Sequence, residues 1–219
     1  MTVEQVIALL QQHANPQAVQ GMARFGISST QTLGVSIPTL RRIAKDIGMD
    51  HPLAQELWHS GIHEARILAS MIADPRLVSP EQMEEWVKDF DSWDVCDQVC
   101  GNLFVKTPYA YHKAMEWPHR EQKFVRRAGF VLMAELAVHD KRAPDEAFLP
   151  FFPLIKQYAI DERNFVKKAV NWALRQIGKR NSHLRAVAMD WAKAIKQLDS
   201  RVARWIANDA LKELQKKTR

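Results

Sequence analysis

The chain has 219 residues, 47% of them hydrophobic and 26% charged, which is typical of a soluble globular protein of one large or two small domains. No apolar run reaches the roughly 18 residues of a membrane span, and residues 1–5 lack the basic start and apolar core of a signal peptide. The net charge of +6 is uneven, since residues 1–100 carry −6 and residues 101–219 carry +12, so the second half suits a polyanion such as nucleic acid.

Apolar residues recur at helical spacing through the first half of the chain, and Thr, Asn, Ser and Asp residues stand where N-caps are expected. Residues 26–35 mix glycine and hydroxyl residues with apolar ones, which predicts an ordered loop. The predicted helices span residues 2–12, 15–25, 36–48, 50–59, 63–73, 79–90 and 92–105.

The second half continues with longer helices. Residues 128–138 are apolar on nearly every side, so we expect the helix that contains them to be buried between neighbours. The predicted helices span residues 108–117, 121–139, 144–158, 161–179, 182–198 and 200–217, and the third of them is interrupted by Pro150 and Pro153. Because no segment alternates with the period of a strand, the fold class is predicted to be all-α.

A weak internal repeat links three of the long helices. Val125-Arg126-Arg127-Ala128, Val166-Lys167-Lys168-Ala169 and Val202-Ala203-Arg204-Trp205 each place basic residues beside apolar ones, at Val-to-Val steps of 41 and 36 residues. This period predicts a right-handed α-solenoid, a superhelix of HEAT-like (armadillo-type) repeats that forms one domain over residues 1–219. The alternative is an ordinary helical bundle with scattered lysines.

One helix from each repeat would line the concave surface of such a superhelix. Basic side chains that recur on these helices would make the surface a positively charged groove, which suits the backbone of a DNA duplex. The alternative is a solvated helical surface. The predicted DNA-binding residues are Arg126, Lys167, Lys168, Arg175, Lys179 and Arg204.

The segment Asp91-Ser92-Trp93-Asp94-Val95-Cys96-Asp97 is the main candidate for a site. With Asp91 or Ser92 as N-cap, Trp93 and Asp97 are four residues apart and project from one face of the helix. An indole beside a carboxylate can hold a cationic, planar group, because the ring face attracts the charge and the carboxylate balances it. The alternative is a packed tryptophan with a capping acid.

Two further residues bear on this site. Arg127 lies in an apolar helix, where an unpaired guanidinium would be costly to bury, so it predicts an anionic partner, either a carboxylate such as Asp97 or a ligand phosphate. Trp172 lies between an apolar and a basic stripe of its helix, which predicts a ring at the edge of a basic surface. A fully buried Trp172 is the alternative.

Cys96 and Cys100 are the only cysteines. Two cysteines on one helix make neither a disulfide framework nor a complete zinc site, so a reducing cytoplasm fits best and both are expected to be small buried residues. A cysteine-dependent enzyme that uses one of them with His112 has little support, because the neighbouring acids would raise the pKa of a thiol.

The chain resembles the bacterial DNA alkylation repair glycosylases of the AlkD-like family, which are built from HEAT-like repeats. The resemblance covers roughly residues 20–185 and depends on the order and spacing of four stretches. They are Leu33-Gly34-Val35-Ser36-Ile37-Pro38-Thr39-Leu40-Arg41-Arg42-Ile43-Ala44-Lys45, Ser92-Trp93-Asp94-Val95-Cys96-Asp97, Val125-Arg126-Arg127-Ala128 and Phe165-Val166-Lys167-Lys168-Ala169-Val170-Asn171-Trp172-Ala173-Leu174-Arg175.

The resemblance implies a DNA N-glycosylase that excises N3- and N7-alkylated purines from duplex DNA without extruding the base into a deep pocket. By similarity, the catalytic residues are Asp97, Trp93, Arg127 and Trp172, with Arg126 as the fallback for Arg127. Asp97 would stabilise the oxocarbenium ion and position water, the tryptophans would contact the lesion nucleotide, and Arg127 would hold a phosphate.

The resemblance also implies that neither a cofactor nor a metal ion takes part. We expect a monomer that acts on double-stranded DNA in the cytoplasm, at the nucleoid when bound, and not at a membrane. Some relatives carry a second tryptophan where Ser92 stands, and an early aromatic residue where this chain offers only Phe25 or Met22. A HEAT-like scaffold that binds nucleic acid or an acidic protein without catalysis is therefore the second hypothesis.

Overall fold

The computed structural model describes residues 1–27 and 30–216, which form helices joined by short turns and, within those ranges, no strand. The predicted all-α fold class is therefore confirmed. Contacts between helices divide the chain into two compact units, Met1–Thr107 and Pro108–Arg219. The prediction of one domain over residues 1–219 stays a prediction, and the units are described in turn.

Unit 1 contains seven α-helices among its described residues, followed by a short 3-10 turn at Phe104–Lys106. The last helix was predicted to reach residue 105, but it ends at Asn102 because the backbone of Leu103 leaves the helical region, with φ −122° and ψ −63°. The helices are α1 Val3–Gln12, α2 Pro16–Ala23, α3 Ile37–Ile47, α4 His51–His59, α5 His63–Ile72, α6 Pro80–Lys88 and α7 Trp93–Asn102.

Local sequence explains where most of these helices begin. Thr2 forms a full capping box with Gln5, and the side chains of Ser36 and Asp50 accept hydrogen bonds from backbone N–H groups of the first turn. A proline in the first turn of α2, α3, α4 and α6 costs no hydrogen bond, because those N–H groups have no partner within the helix.

The core of unit 1 is aromatic. The buried rings of Trp58 and Trp86 stack with their centroids 4.1 Å apart, and Phe90 and Phe104 pack at their edges. Around this core α4 packs on α5, and α3, α5 and α7 form a row in which each helix packs on the next. This alternation of row helices and covering helices is the packing expected of HEAT-like repeats.

The loop before α3 is held by one buried carboxylate. Glu64 is 1% exposed and accepts hydrogen bonds from the backbone N–H groups of Leu33, Gly34 and Val35, at 2.8, 2.6 and 3.3 Å. The predicted ordered loop is confirmed there, while positions 28 and 29 lie outside the described residues. Gly34 has a φ of +78°, and a Cβ atom at this position would lie 2.3 Å from the carbonyl oxygen of Asn15.

Unit 2 contains six α-helices among its described residues, together with 3-10 turns at Trp117–His119 and Asp145–Ala147. The predicted interruption of residues 144–158 at Pro150 is confirmed, because only a 3-10 turn precedes it and Pro150 is the N-cap of a helix that begins at Phe151. The predicted interruption at Pro153 is wrong, because Pro153 lies in the first turn of that helix, where a missing N–H costs no hydrogen bond. The helices are α8 Ala110–Glu116, α9 Lys123–His139, α10 Phe151–Tyr158, α11 Asn164–Gly178, α12 Ser182–Lys196 and α13 Arg201–Leu214.

Helix α9 is the core of unit 2, as its apolar sequence predicted. Between residues 128 and 138 only Glu135 and Val138 are even partly exposed. At Gly129 a Cβ atom would lie 2.4 Å from the ring of Pro118, so glycine allows the preceding turn to pack directly on the helix.

The three repeat motifs fall on the three helices that form the row of unit 2. In this row α9 packs on α11 and α11 packs on α13, while α8, α10 and α12 cover them. Val125 and Val166 are buried and Val202 is partly exposed, so the valine of the first two motifs belongs to the core.

Within residues 1–27 and 30–216, no helix has the length and apolar character needed to cross a membrane.

Gly34→Ala should lower the free energy of unfolding far more than Gly48→Ala. Both glycines have a φ of +78°, which costs alanine about 1–3 kcal/mol, but a Cβ atom at Gly48 meets no atom within 4 Å. The overlap with the Asn15 carbonyl should add at least about 2 kcal/mol at Gly34. Urea denaturation of both variants measures this difference, and equal losses would contradict the close contact.

Candidate nucleic-acid interface

The opening turn of α7 presents the two residues that the sequence singled out. Ser92 is the N-cap in extended conformation, although its buried hydroxyl makes no capping bond, so it takes this place through backbone shape. Trp93 is the first residue of the helix and Asp97 lies one turn later; both are partly exposed. The expectation that they share one face of a helix is confirmed by the helix bounds.

The indole of Trp93 is fixed by a hydrogen bond. Its Nε1–H donates to the backbone carbonyl of Phe25 at 3.1 Å, which joins the start of α7 to the turn after α2. The Phe25 side chain is 69% exposed, so an open aromatic ring lies on the residue that holds Trp93. This bond could not be predicted from the residue types, because the acceptor is a backbone carbonyl 68 residues away.

A buried ion pair sets the position of α7 against α5. Nε2 of His63, the first residue of α5, lies 2.8 Å from Oδ2 of Asp94, the residue that follows Trp93. The side chains are only 4% and 15% exposed. At the other end of α7, Asn102 donates to the hydroxyl of Ser70 at 3.2 Å. Two polar contacts therefore fix the orientation of the helix that carries Trp93 and Asp97.

Burial and charge act in opposite directions on this pair. Burial alone would lower the pKa of His63, but its hydrogen bond to Asp94 and the charge of that carboxylate outweigh burial and raise it. Burial would raise the pKa of Asp94, whereas the hydrogen bond and the charge of His63 hold it below its ordinary value. Both shifts favour the charged form of each partner, so the pair is a salt bridge at mildly acidic pH.

Two arginines of α9 are bound by protein groups in unit 2. Arg127 is 5% exposed and its Nη1 donates to the backbone carbonyl of Phe165 on α11. Arg126 donates to the carbonyl of Pro118 and to Asp161, at 2.8 and 2.9 Å, and its guanidinium lies over the ring of Tyr158. Neither guanidinium is an open surface charge.

Asp161 is the anchor for this cluster. Burial alone would raise its pKa, but hydrogen bonds from Arg163 and Arg126 hold the pKa below its ordinary value. The two arginines share the carboxylate, and Arg163 also donates to the carbonyl of Glu121. The predicted DNA contact of Arg126 is thus occupied by a carboxylate, which makes it a structural link between α9 and the start of α11.

Helix α11 carries Trp172 together with basic side chains of two kinds. Lys168 is exposed, and Lys167 and Trp172 are partly exposed, which agrees with a ring at the edge of a basic surface. Asn171 faces inward and donates to Asp209 of α13 at 2.7 Å, while Arg175 and Lys179 form ion pairs with Glu213. Arg175 also lies 3.4 Å from Asp209.

The ion pairs separate the predicted DNA-binding cations into those held by a carboxylate and those that are open to solvent. Desolvation of Glu213 is outweighed by its bonds and charge interactions with Lys179 and Arg175, so its pKa is lowered and it remains a carboxylate at neutral pH. Arg175 and Lys179 are compensated by it. Among the described residues, Lys168 and Arg201 form no ion pair, and Arg204 has only a loose one, 3.7 Å from Asp199.

The four predicted catalytic residues lie two in each unit, Trp93 and Asp97 on α7 and Arg127 and Trp172 on α9 and α11. Cys96 and Cys100 are fully buried, which denies a substrate access to either thiol and removes the support for a cysteine enzyme with His112. No three His, Cys, Asp or Glu residues within residues 1–27 and 30–216 are grouped as metal ligands would be.

The His63–Asp94 pair predicts a pH-dependent stability. Because the folded-state pKa of His63 is raised and that of Asp94 is lowered, the pair stabilises the fold fully between about pH 4 and pH 6.5, and the histidine contribution is lost as pH rises through its raised pKa. His63→Gln should therefore cost about 1–3 kcal/mol at pH 5.5 and less at pH 9. Urea denaturation at both pH values tests this, and a cost independent of pH would contradict it.

Arg126→Gln and Lys168→Gln should differ sharply in stability although both remove one positive charge. Arg126→Gln leaves Asp161 short of a partner and should cost about 2–4 kcal/mol, because that ion pair is mostly buried. Lys168→Gln alters an exposed side chain and should stay within about 0.5 kcal/mol. Thermal unfolding of the two variants measures the contrast, and similar losses would show that Arg126 is not a structural link.

Comparison with known proteins gives matches over nearly the whole chain. The sequence profile of a family described as DNA alkylation repair enzyme matches residues 6–214. Uncharacterized protein Lin0241 of Listeria innocua serovar 6a is 24% identical over 200 residues, which cover 89% of this chain and 87% of that protein.

One solved structure has a similar fold, with a TM-score of 0.78 and 19% identity over 95% of this chain and 94% of that one. It is described as a new family of proteins related to the HEAT-like repeat DNA glycosylases with affinity for branched DNA structures. The likeness shows the fold, and the predicted HEAT-like repeat class is confirmed.

Proposed function

The chain belongs to the DNA alkylation repair enzyme family, and we propose that it is a DNA N-glycosylase that releases N3- and N7-alkylated purines from duplex DNA. The observation that supports this most directly is the pair on α7. Trp93 is fixed in place by the Phe25 carbonyl, and a carboxylate, Asp97, projects one turn further on the same helix face. Both side chains are partly open to solvent.

The substrate chemistry asks for these two groups. Alkylation at N3 or N7 gives the purine a formal positive charge, so the base is already a good leaving group. When the bond between C1′ and the base nitrogen breaks, its electron pair goes to the purine, which leaves neutral. Positive charge then develops on the deoxyribose as an oxocarbenium ion. The enzyme needs to stabilise that charge and to deliver water to C1′.

Asp97 is proposed for both tasks. Its carboxylate would lie close to the developing charge on the sugar, and an ionised group in a site shielded from water stabilises such a charge strongly. Water that adds to C1′ loses a proton, and the same carboxylate can accept it. Asp97 is partly exposed on α7, so solvent reaches its side chain. No general acid is required, because the cationic base needs no protonation.

Trp93 is proposed to bind the cationic nucleotide. The face of an indole attracts a cation, at about 0.5–2 kcal/mol depending on desolvation. Because the hydrogen bond to Phe25 already fixes the ring, little side-chain entropy is lost when the nucleotide binds. Trp172, on a basic helix of unit 2, is proposed for a similar contact with the sugar or backbone.

Arg127 is proposed to act by positioning. Its guanidinium is nearly buried and bonds the Phe165 carbonyl, which leaves little surface for a phosphate. Of the predicted DNA contacts we retain Lys168 and Arg204 for phosphates. Arg126, Arg175 and Lys179 are held by carboxylates, and the ammonium of Lys167 lies over the ring of Trp205. Each phosphate contact should contribute about 0.9 to the slope of log K against log salt concentration. We propose a monomer that works in the cytoplasm.

A second candidate function is DNA binding without catalysis. A solved structure with a similar fold is described as having affinity for branched DNA structures, which favours a binding role for the basic helices here as well. Such a protein would use the exposed cations and the tryptophans, and it would not need Asp97. The carboxylate of Asp97 is therefore the residue on which the two functions differ.

Asp97→Asn should abolish base release and leave DNA binding nearly intact. Loss of the carboxylate removes charge stabilisation and the proton acceptor while keeping the side-chain shape, so release of 7-methylguanine or 3-methyladenine from methylated duplex DNA should fall roughly 100-fold or more. The assay compares wild type, Asp97→Asn and Asp91→Asn. Asp91 is exposed just before α7, so its variant changes the same charge without touching the helix face.

The outcomes separate the candidates. Release by the wild type and by Asp91→Asn, with loss in Asp97→Asn alone, supports the glycosylase and its carboxylate. Salt-sensitive binding of duplex DNA by a wild type that releases no base would leave the non-catalytic function. Equal release by Asp97→Asn would show that this carboxylate is not the catalytic group.

A further inference from the structure

The exposed face of α13 combines one large aromatic ring with several cations. Trp205 is 43% exposed, although a tryptophan on a helix normally buries its ring. Residues at positions 201, 204, 205, 208 and 212 fall on one side of the helix by their spacing, and all of them are exposed. They are Arg201, Arg204, Trp205, Asn208 and Lys212, with no acid among them.

The acids of α13 lie on its other side. Asp209 accepts a hydrogen bond from Asn171, and Glu213 pairs with Arg175 and Lys179, so both carboxylates are directed to α11. These two carboxylates are paired with polar and basic side chains of the neighbouring helix. The face of α13 around Trp205 is therefore more positive than the sequence of α13 suggests.

A lysine of α11 lies over the ring of Trp205. Nζ of Lys167 is 5.4 Å from the ring centroid, and the neighbouring Lys168 is exposed. A cation on one face of an indole holds the ring in place and leaves the remaining surface to a flat partner. The surrounding Arg201 and Arg204 would reach the phosphates on either side of such a partner.

We propose that Trp205 is a stacking platform for an unpaired nucleobase, with Lys167 behind the ring and Lys168, Arg201 and Arg204 binding the adjacent phosphates. A flat aromatic partner that carries negative charge on both sides is a nucleotide in a strand. A paired base inside a duplex offers no free face, so the ligand is DNA with a single-stranded stretch, such as a gap or an overhang. This inference rests on the proposed DNA-binding function and adds a contact separate from the α7 pair.

An acidic protein segment is the less favoured partner. It would satisfy the cations, but it gives no reason for an exposed indole among them. Aromatic stacking is sequence-tolerant, and its loss lowers affinity by roughly 5-fold or more per base, which is large enough to measure.

The test changes the DNA before it changes the protein. Fluorescence anisotropy measures the affinity of the full-length protein for three DNAs: a paired duplex, the same duplex with a single-stranded overhang, and that overhang made of abasic nucleotides. The two overhangs carry the same phosphates and differ only in nucleobases. We expect the nucleobase overhang to bind at least about 5-fold more tightly than the abasic one.

Variants then assign the difference to Trp205. Trp205→Ala should lower affinity for the nucleobase overhang to that for the abasic one, while binding of the paired duplex changes less than about 2-fold. Trp205→Phe keeps an aromatic face and should retain part of the preference. Lys212→Gln, on the same exposed face, is the matched control and should weaken all three DNAs by a similar small factor through charge alone.

Equal binding of the two overhangs by the wild type would overturn the proposal, and so would a nucleobase preference that survives in Trp205→Ala. Equal binding together with tight binding of an acidic peptide that needs Trp205 would assign the patch to a protein partner. Base release from methylated duplex is measured separately, so a glycosylase without nucleobase preference and a nucleobase binder without release give distinct results.

Discussion

The contact between His63 and Asp94 is the interaction on which the α7 site depends, and it belongs to a series. Polar contacts join each row helix to the neighbouring row helix, or to the loop that leads into that neighbour. Each contact spans about one repeat in sequence. Glu64 binds the Leu33 amide across 31 residues, and His63 reaches Asp94 across 31. In unit 2, Arg127 reaches the Phe165 carbonyl and Asn171 reaches Asp209, each across 38.

These bonds do what apolar packing alone does poorly, because they fix register. Apolar ridges of two helices can slide by a turn at modest cost, whereas a buried donor that loses its acceptor costs about 1–3 kcal/mol. Two contacts therefore set the position of Trp93 and Asp97 on α7. Asp94 binds His63, and the indole of Trp93 binds the Phe25 carbonyl. The proposed site on α7 therefore depends on a neighbouring residue of the same turn, Asp94, which forms a structural contact.

Structural contacts also occupy many of the charged side chains. The second half of the chain carries a net charge of +12, but buried and half-buried carboxylates hold many of its cations. Asp161 binds Arg126 and Arg163, and Glu213 binds Arg175 and Lys179. The surface that remains positive is formed by the basic side chains without a close carboxylate, which lie on α11 and on the exposed face of α13. Composition overstates the charge that a polyanion can reach, because it cannot tell a structural arginine from an open one.

The sequence predicted what depends on local rules. Caps such as Thr2, Ser36 and Asp50 mark the helix starts, and the shared helix face of Trp93 and Asp97 follows from helical spacing alone. What it missed has distant or backbone partners. Every residue has a backbone carbonyl, so nothing in the sequence marks those of Phe25, Pro118 and Phe165 as acceptors. The hydrogen bonds that they accept from Trp93, Arg126 and Arg127 could therefore not be predicted. Likewise the acids of α13 that bind Arg175 and Lys179 look like surface residues until the helices are packed.

The proposed chemistry explains how so small a site can suffice. A cationic purine leaves without protonation, so the reaction does not demand a general acid or a deep pocket that flips and encloses the base. It demands an anion near the sugar and a surface that holds the duplex. A helix face can supply both, and a fold built from repeated helices has many such faces. Tryptophans and lysines would serve a binder as well as an enzyme. A carboxylate repels phosphate, so Asp97, which is partly exposed on α7, is the residue whose substitution separates the proposed glycosylase from a DNA binder.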